Sequence, residues 1–303
     1  MPELPEVETT INSLNKTVKG LRISDVWSNY NSKYHIGKNN IKDKKYSSSF
    51  IKTITGQKII SARRIAKNIL IDLGNDITIL VHMKMTGHFL YGNFEKVGGL
   101  WKASDKGPLQ DPMNRFVRMV FTLSNGQFLA FSDMRRFAKV CYFPTEAWRE
   151  FGDLKNIGPD PMQKNFTLKL FKERLLKKPY GKIKQVIMDQ EIIAGIGNIY
   201  SDEILWASGI HPLSNPLKIP ESKFKAAFSA MKKILKKAIE SGGDSMSDFR
   251  HLDGRKGGYQ NFHKAYRLTG TKCSFPLCNG QITKIKLGGR SAHFCAIHQI
   301  KFQ

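Results

Sequence analysis

The chain has 303 residues, enough for two ordinary domains and a small appendage, each able to bury a core. Hydrophobic residues make up 41% and charged residues 24%, and no apolar run reaches the roughly 18 residues needed to cross a bilayer, so neither disorder nor a membrane span is expected. Lys and Arg total 49 against 25 acids, a formal net charge of +24 that attracts polyanions and points to nucleic acid as the partner.

The N-terminus, Met-Pro-Glu-Leu-Pro-Glu, lacks the basic start and apolar centre of a secretory signal, so a cytoplasmic protein is expected. Residues 3–14 place Val7, Ile11 and Leu14 on one face and predict a helix. Short β-branched or aromatic runs follow at 59–60, 69–71, 77–81, 117–123, 128–131 and 140–143, separated by Gly-Asn, Asn-Gly and similar turn signals. With the first helix they predict a β-sandwich domain over residues 1–150. Segments 31–50 and 91–115, rich in Lys, Ser, Gly and Asn, read as loops and carry no assigned chemistry. Beyond Pro161 the spacing turns helical, with apolar residues three and four apart over 166–176, 183–193, 199–206 and 221–239. A helical domain over 151–262 follows, its last part (242–262) a Gly-, Asp- and Ser-rich loop.

Residues 263–303 hold three of the four cysteines and no Asp or Glu, while Lys264, Arg267, Lys272, Lys284, Lys286, Arg290 and Lys301 all fall there. Clustered Cys with a nearby His in a non-secreted chain points to metal before disulfide, and the cations point to a phosphate-facing module. The expected fold is α+β and multidomain: an N-terminal β-sandwich with an N-terminal helix, a helical domain, and a C-terminal metal-binding β-hairpin.

Pro2 has distinctive chemistry once Met1 is removed. An N-terminal amine has an unperturbed pKa near 7.7 to 8.0, so roughly a tenth is unprotonated at pH 7, where a lysine offers well under about 0.1%. It is then a usable nucleophile. A secondary amine attacking an anomeric sugar carbon yields a cationic iminium, an electron sink for eliminating the flanking phosphates. Glu3 beside it is placed to shuttle protons. Without further signals, a proline in second position means only that Met1 is trimmed.

Further signals are present. The segment Pro2 to Glu8, PELPEVE, resembles the amino-terminal signature of the formamidopyrimidine-DNA glycosylase and endonuclease VIII family, and several later segments resemble that family's motifs in the same order. Arg63-Arg64-Ile65-Ala66-Lys67 is similar to the segment holding the family's catalytic lysine. His82 to Gly87, HMKMTG, is similar to the loop supplying a methionine wedge, and Asp133-Met134-Arg135-Arg136-Phe137 to the loop supplying an arginine and a phenylalanine. Gly195 to Tyr200, GIGNIY, is similar to the helix-two-turns-helix motif. The resemblance spans nearly the whole chain apart from the two loops.

It implies a bifunctional glycosylase and AP lyase that removes oxidised purines from duplex DNA through a Pro2 Schiff base and β,δ-elimination. The alternatives are an endonuclease VIII-type enzyme preferring oxidised pyrimidines, or a catalytically silent lesion-binding protein on the same scaffold. The catalytic set it implies is Pro2, Glu3, Lys67 and Arg290. Its DNA-binding set is Glu6, Met85, Arg135, Phe137, Lys184, Asn198 and Arg118. Simpler readings stand beside several of these. Lys67 and Lys184 also read as solvated charges, Asn198 as an N-cap and Glu6 as a helix-dipole partner. Met85 and Phe137 also read as core residues, and Arg135 as a surface charge. An enzyme that extrudes a nucleotide, however, needs side chains to refill the stack. Family members often carry a DNA-contacting histidine ahead of the strand at Val117; here Arg115 and Arg118 flank that place.

The metal candidate is Cys273-x4-Cys278-x16-Cys295-x2-His298, with His293 a weaker competitor for the fourth position. Three Cys and one His form an accepted structural zinc set, and a closed site supplies folding energy that so small a module lacks. The family usually spaces the first pair by two residues and uses a fourth cysteine, so this chain departs from it twice. One structural Zn2+, damaged double-stranded DNA as partner, no membrane, no organic cofactor and a monomer complete the expectation.

Overall fold

The computed structural model of the chain describes residues 1–303, which divide into two compact units, Met1–Lys155 with Ser241–Gly258, and Asn156–Glu240 with Tyr259–Gln303. In the first unit α1 (Leu4–Thr17) buries Leu4, Val7, Ile11 and Leu14, the three- and four-residue spacing of one helix face. There follow β1 (Ile23–Ser28), α2 (Lys44–Ile54), β2 (Ile59–Ile65), β3 (Asn68–Leu73), β4 (Ile77–His82), β5 (His88–Gly92), β6 (Phe94–Val97), β7 (Leu100–Ala103), β8 (Val117–Leu123), β9 (Phe128–Ser132) and β10 (Lys139–Pro144). Two antiparallel four-stranded sheets form, ordered β1-β8-β9-β5 and β10-β4-β3-β2. Alternate residues of both sheets, among them Ile69, Ile71, Ile79, Val81, Met119, Phe121, Leu129 and Phe131, join Val7, Ile11 and Leu14 in one core, the period-two signature of a sandwich.

The two segments expected as loops contain regular structure. In the first, α2 is capped by Asp43, whose carboxylate accepts the Tyr46 N–H at 2.7 Å, and it buries Ser47, Phe50 and Ile54. Its Lys- and Ser-rich exposed face masks the helical spacing in the sequence. In the second, the β6–β7 hairpin contributes Phe94 and Trp101 to a smaller core with Leu90, Leu109, Val120 and Ala130, on the sheet face turned away from the main core. The Gly-rich stretch 241–258 stays irregular and is tied to the first unit by Tyr91 N–H donating to the Leu252 carbonyl at 2.6 Å.

The second unit contains α3 (Leu168–Leu175), α4 (Ile183–Met188), α5 (Asn198–Ser208) and α6 (Glu221–Glu240), packed around Phe171, Ile187, Tyr200, Ile204, Met231 and Leu235. The helical spacing read through residue 193 stops at Met188. There the Asp189 carboxylate accepts the Glu191 N–H at 3.0 Å, and the Gln190 amide bridges the Met188 and Ile196 carbonyls and the Gly195 N–H. These local bonds compete with the helix and make the turn into α5, with Gly195 at φ 86, a backbone state that favours glycine. The C-terminal hairpin pairs β11 (Ile282–Leu287) with β12 (Arg290–Cys295) through a Gly288-Gly289 turn at φ 54 and 74. No helix is long and apolar enough to cross a membrane.

Candidate nucleic-acid interface and metal centre

The head of α1 is built by carboxylates. Glu3 and Glu6 form a reciprocal capping box, with the Glu3 N–H donating to Glu6 Oε2 at 2.7 Å. The other Glu6 oxygen accepts the Asp244 N–H at 2.8 Å, so one buried side chain fixes both the peptide after Pro2 and the 241–258 segment. Pro2 is buried, and its nitrogen becomes an amine only when Met1 is cleaved. Lys67 lies in the two-residue turn joining β2 to β3, next to Ala66 at φ 54. A left-handed alanine costs about 1 kcal/mol, a local strain of the kind that clusters where side-chain placement matters. The preceding Arg63 and Arg64 are committed to Asp72 at 2.8 Å and Glu8 at 2.5 Å, which anchors the approach to that turn.

Met85, Arg135 and Phe137 come from two different loops and meet. The Arg135 guanidinium donates to the Met85 sulfur at 3.0 Å and lies 4.5 Å from the centre of the Phe137 ring. Phe137 is 48% exposed, which removes the core reading for it, and Met134 through Phe137 are all exposed. Beneath them Asp133, fully buried, receives the Thr86 hydroxyl, the Tyr30 hydroxyl at 2.9 Å and the Ala138 N–H at 2.9 Å, while Thr86 in turn accepts the Arg135 N–H at 3.1 Å. Burial and the Asp133 charge push the Tyr30 phenol well above its usual range, so it stays a donor. Arg118 Nε donates to the Asp133 carbonyl at 3.3 Å, beneath the same loop, whereas Arg115 is exposed over Phe116. Asp133, Thr86 and Tyr30 drew no role from sequence. Asp133 and Thr86 lie inside the quoted motifs, but Tyr30 is 103 residues from its partner and carries no local signal.

His82, the first residue of the HMKMTG segment, shapes the adjoining turn. Its Nδ1 accepts the Lys84 N–H at 3.0 Å, which holds Lys84 at φ 54, and burial beside the Lys84 and Lys67 charges brings its pKa down to about 3. The ring is therefore neutral at physiological pH with its proton on Nε2.

In the second unit Asn198 is the first residue of α5 and Gly197 holds the N-cap, so the N-cap reading passes to the glycine. The opening turn of α5 leaves backbone N–H groups suited to phosphate. Lys184 is 1% exposed and forms an ion pair with Asp202 at 2.5 Å. Arg290 is exposed at the start of β12, immediately after the glycine turn.

Cys273, Cys278, Cys295 and His298 present their ligand atoms within 4.8 Å of one another, with the three sulfurs buried. The His298 Nε2–H donates to the Trp206 carbonyl at 2.9 Å, leaving Nδ1 facing the cysteines, 3.3 Å from Cys273 Sγ. That outer bond orients a ligating imidazole, and burial keeps its pKa below the ordinary value and the ring neutral. The donor set fits a closed structural Zn2+ site. His293 is not part of it, because its Nδ1 is held 2.8 Å from the Asp202 carboxylate.

A protein that only tracks phosphates has no use for a half-buried methionine joined to an exposed arginine and phenylalanine over a buried aspartate. With the open helix turn at Asn198 and the zinc hairpin, they define a DNA-binding protein of the base-extruding class. The N-terminal domain profile of formamidopyrimidine-DNA glycosylase matches residues 1–140, and the H2TH domain profile of formamidopyrimidine-DNA glycosylase matches residues 157–250. The chain belongs to the formamidopyrimidine-DNA glycosylase family. It is 34% identical to the formamidopyrimidine-DNA glycosylase of Pelotomaculum thermopropionicum over 97% of this chain and 98% of that one. Among solved structures it is similar to the Lactococcus lactis protein bound to DNA containing an abasic site (TM-score 0.81, 30% identity, 99% of this chain and 100% of that one). It is equally similar to MutM bound to DNA containing carbocyclic 8-oxo-G (TM-score 0.81, 31% identity, the same coverage).

Proposed function

We propose that this chain is a base-excision-repair DNA glycosylase with AP lyase activity, removing oxidised purines such as 8-oxoguanine and formamidopyrimidines from duplex DNA. The observation that carries it is the assembly of Met85, Arg135 and Phe137, which gives a flexible apolar group, a forked donor and a ring to occupy the place of an extruded nucleotide. The family relatives solved with Fapy-dG and 8-oxo-G DNA support the purine reading over the pyrimidine one.

In this reading the Pro2 amine bonds to the sugar C1′ and gives up its proton, the glycosidic bond breaks and the base leaves with a proton. The C1′–O4′ bond then opens, O4′ taking a proton relayed by Glu3, and C1′ is left as a cationic iminium. The resulting iminium draws electrons from C2′. Loss of a C2′ proton expels the 3′ phosphate, and loss of the C4′ proton then expels the 5′ phosphate. Lys67 and Asn198 hold phosphates at the lesion, Glu6 fixes the nucleophile's helix, Arg118 supports the Arg135 loop, and Arg290 assists the second elimination. Lys184 acts from beneath Asn198 rather than by exposed contact. The finer location follows from the substrate: the cytoplasm, on the nucleoid.

Borohydride should reduce the iminium to a stable protein–DNA adduct whose peptide map places the DNA on residue 2. An adduct on a lysine in both the wild type and Pro2→Gly would refute this assignment.

A further inference from the structure

The mechanism above gives no role to Asp202, the buried partner of Lys184 in the second unit. Lys184 and Asp202 are each 1% exposed, and the two oxygens of Asp202 serve different elements. Oδ1 takes the Lys184 ammonium of α4 at 2.5 Å. Oδ2 takes both the backbone N–H of His293 at 3.0 Å and its ring Nδ1 at 2.8 Å, on β12 of the zinc hairpin. The same ammonium donates to the Asn198 carbonyl at 3.3 Å and to the Ser201 hydroxyl at 3.2 Å, in the first turn of α5. A single carboxylate thus joins the turn carrying Asn198 to the strand that begins at Arg290, three residues before His293.

An ordinary packing role asks only that a buried carboxylate be neutralised, and Lys184 alone does that. The second oxygen is spent on a main-chain N–H of the hairpin, which fixes the strand's position along α5 rather than its burial. The tip of that hairpin is Gly288-Gly289, a turn without side chains to brace it, so the stance of Arg290 is inherited from the strand below. Gly288 also lies against α4: a Cβ built there would meet Gln185 Nε2 at 2.3 Å, the far end of a flexible side chain that can move aside, so the tip itself does not fix Arg290.

We propose that Asp202 is a positioning residue that locks the zinc hairpin onto the first turn of α5 and, through β12, sets where Arg290 stands in the second elimination. The proposal rests on the lyase reading above for its consequence, while the lock itself is independent of that reading. A displacement of Arg290 penalises the second elimination more than the first, because the mechanism above gives Arg290 a part only in the second.

The test uses the zinc-loaded full chain and compares D202N with the double variant K184M/D202L, in which no buried charge is left unpartnered. Zinc content is expected to stay at the wild-type value in both. Amides of β11 and β12 should exchange with solvent about tenfold faster, as expected of a local opening that no longer breaks the tie. On a duplex with a pre-formed abasic site, the ratio of β-product to β,δ-product should rise about fivefold or more, the scale on which misplacing a reacting group acts. If D202N does not fold, the double variant carries both readouts. Unchanged hairpin exchange, or a wild-type product ratio in a folded and zinc-replete variant, overturns the proposal, since a merely structural role lowers melting temperature and total rate without moving the ratio. Absence of any cleavage by the wild type would instead refute the lyase reading, and the exchange measurement would still decide the lock.

Discussion

Truncating Phe137 to Ala separates a wedge from a core residue. The ring is 48% exposed and belongs to no buried cluster, so about half of the 1.5–3 kcal/mol typical of burying such a side chain is at stake, roughly 1 kcal/mol. Its contact with the Arg135 guanidinium at 4.5 Å is worth about 0.5–1 kcal/mol at an exposed site. The folded protein should therefore lose about 1–2 kcal/mol, and its melting temperature about 2–8 °C at the 2–4 °C per kcal/mol typical of this size. Stacking of a base on an aromatic ring is worth about 1–3 kcal/mol, so losing it should slow excision from a fully paired lesion by about 5- to 150-fold. A pre-formed abasic site has less stacking to break, and its cleavage should slow by a much smaller factor. Single-turnover excision and abasic-site cleavage, measured beside a thermal melt, give all three quantities. Equal losses on the two substrates with a melting temperature lowered well beyond 8 °C would show that the reasoning is wrong.

Purified protein should carry about one zinc per chain, His298→Ala should release it on mild chelation, and His293→Ala should retain it; retention in the first with release in the second would exchange the two histidines. Acid should destabilise the first unit through the buried His88 and the half-buried His82. Burial brings His88 below its ordinary pKa and His82 down to about 3, so each binds a proton more readily unfolded than folded. Their contribution is fully present above the unfolded value near 6.5 and is lost as pH falls toward the folded value, at up to about 1.4 kcal/mol per pH unit for each ring. Urea melts between pH 7 and 4 should show this slope, and it should shrink in His82→Gln; an identical slope in that variant would remove His82 from the account.

Local signals made most of the architecture readable. The period of two in β3, β4 and β8, the period near 3.6 in α1 and α6, and the Gly-Gly turn of the last hairpin are each imposed by backbone geometry on consecutive residues, so they survive in the linear order. The four metal ligands were readable for the same reason, since a closed tetrahedral site needs soft donors in two short pairs. Short polar segments were not. Helix α2 shows solvent a Lys- and Ser-rich face, and β6–β7 gains its reason to exist only when Phe94 and Trp101 reach the outer face of a sheet assembled from distant strands.

The site divides along the same line. Sequence alone determined which residue types were available for chemistry: a second-position proline, two carboxylates four residues from the start of a helix or nearer, a lysine after a β-strand, and two loops with matching wedge residues. Only the tertiary structure decided that Met85, Arg135 and Phe137 share one surface, because Asp133 gathers Tyr30, Thr86 and Ala138 across as many as 103 residues of chain. It likewise decided between His298 and His293, and between an exposed and a buried Lys184. Those choices turn on which hydrogen-bond partner each group meets when buried, and a buried polar group takes its partner from whatever the fold brings near rather than from its neighbours in sequence.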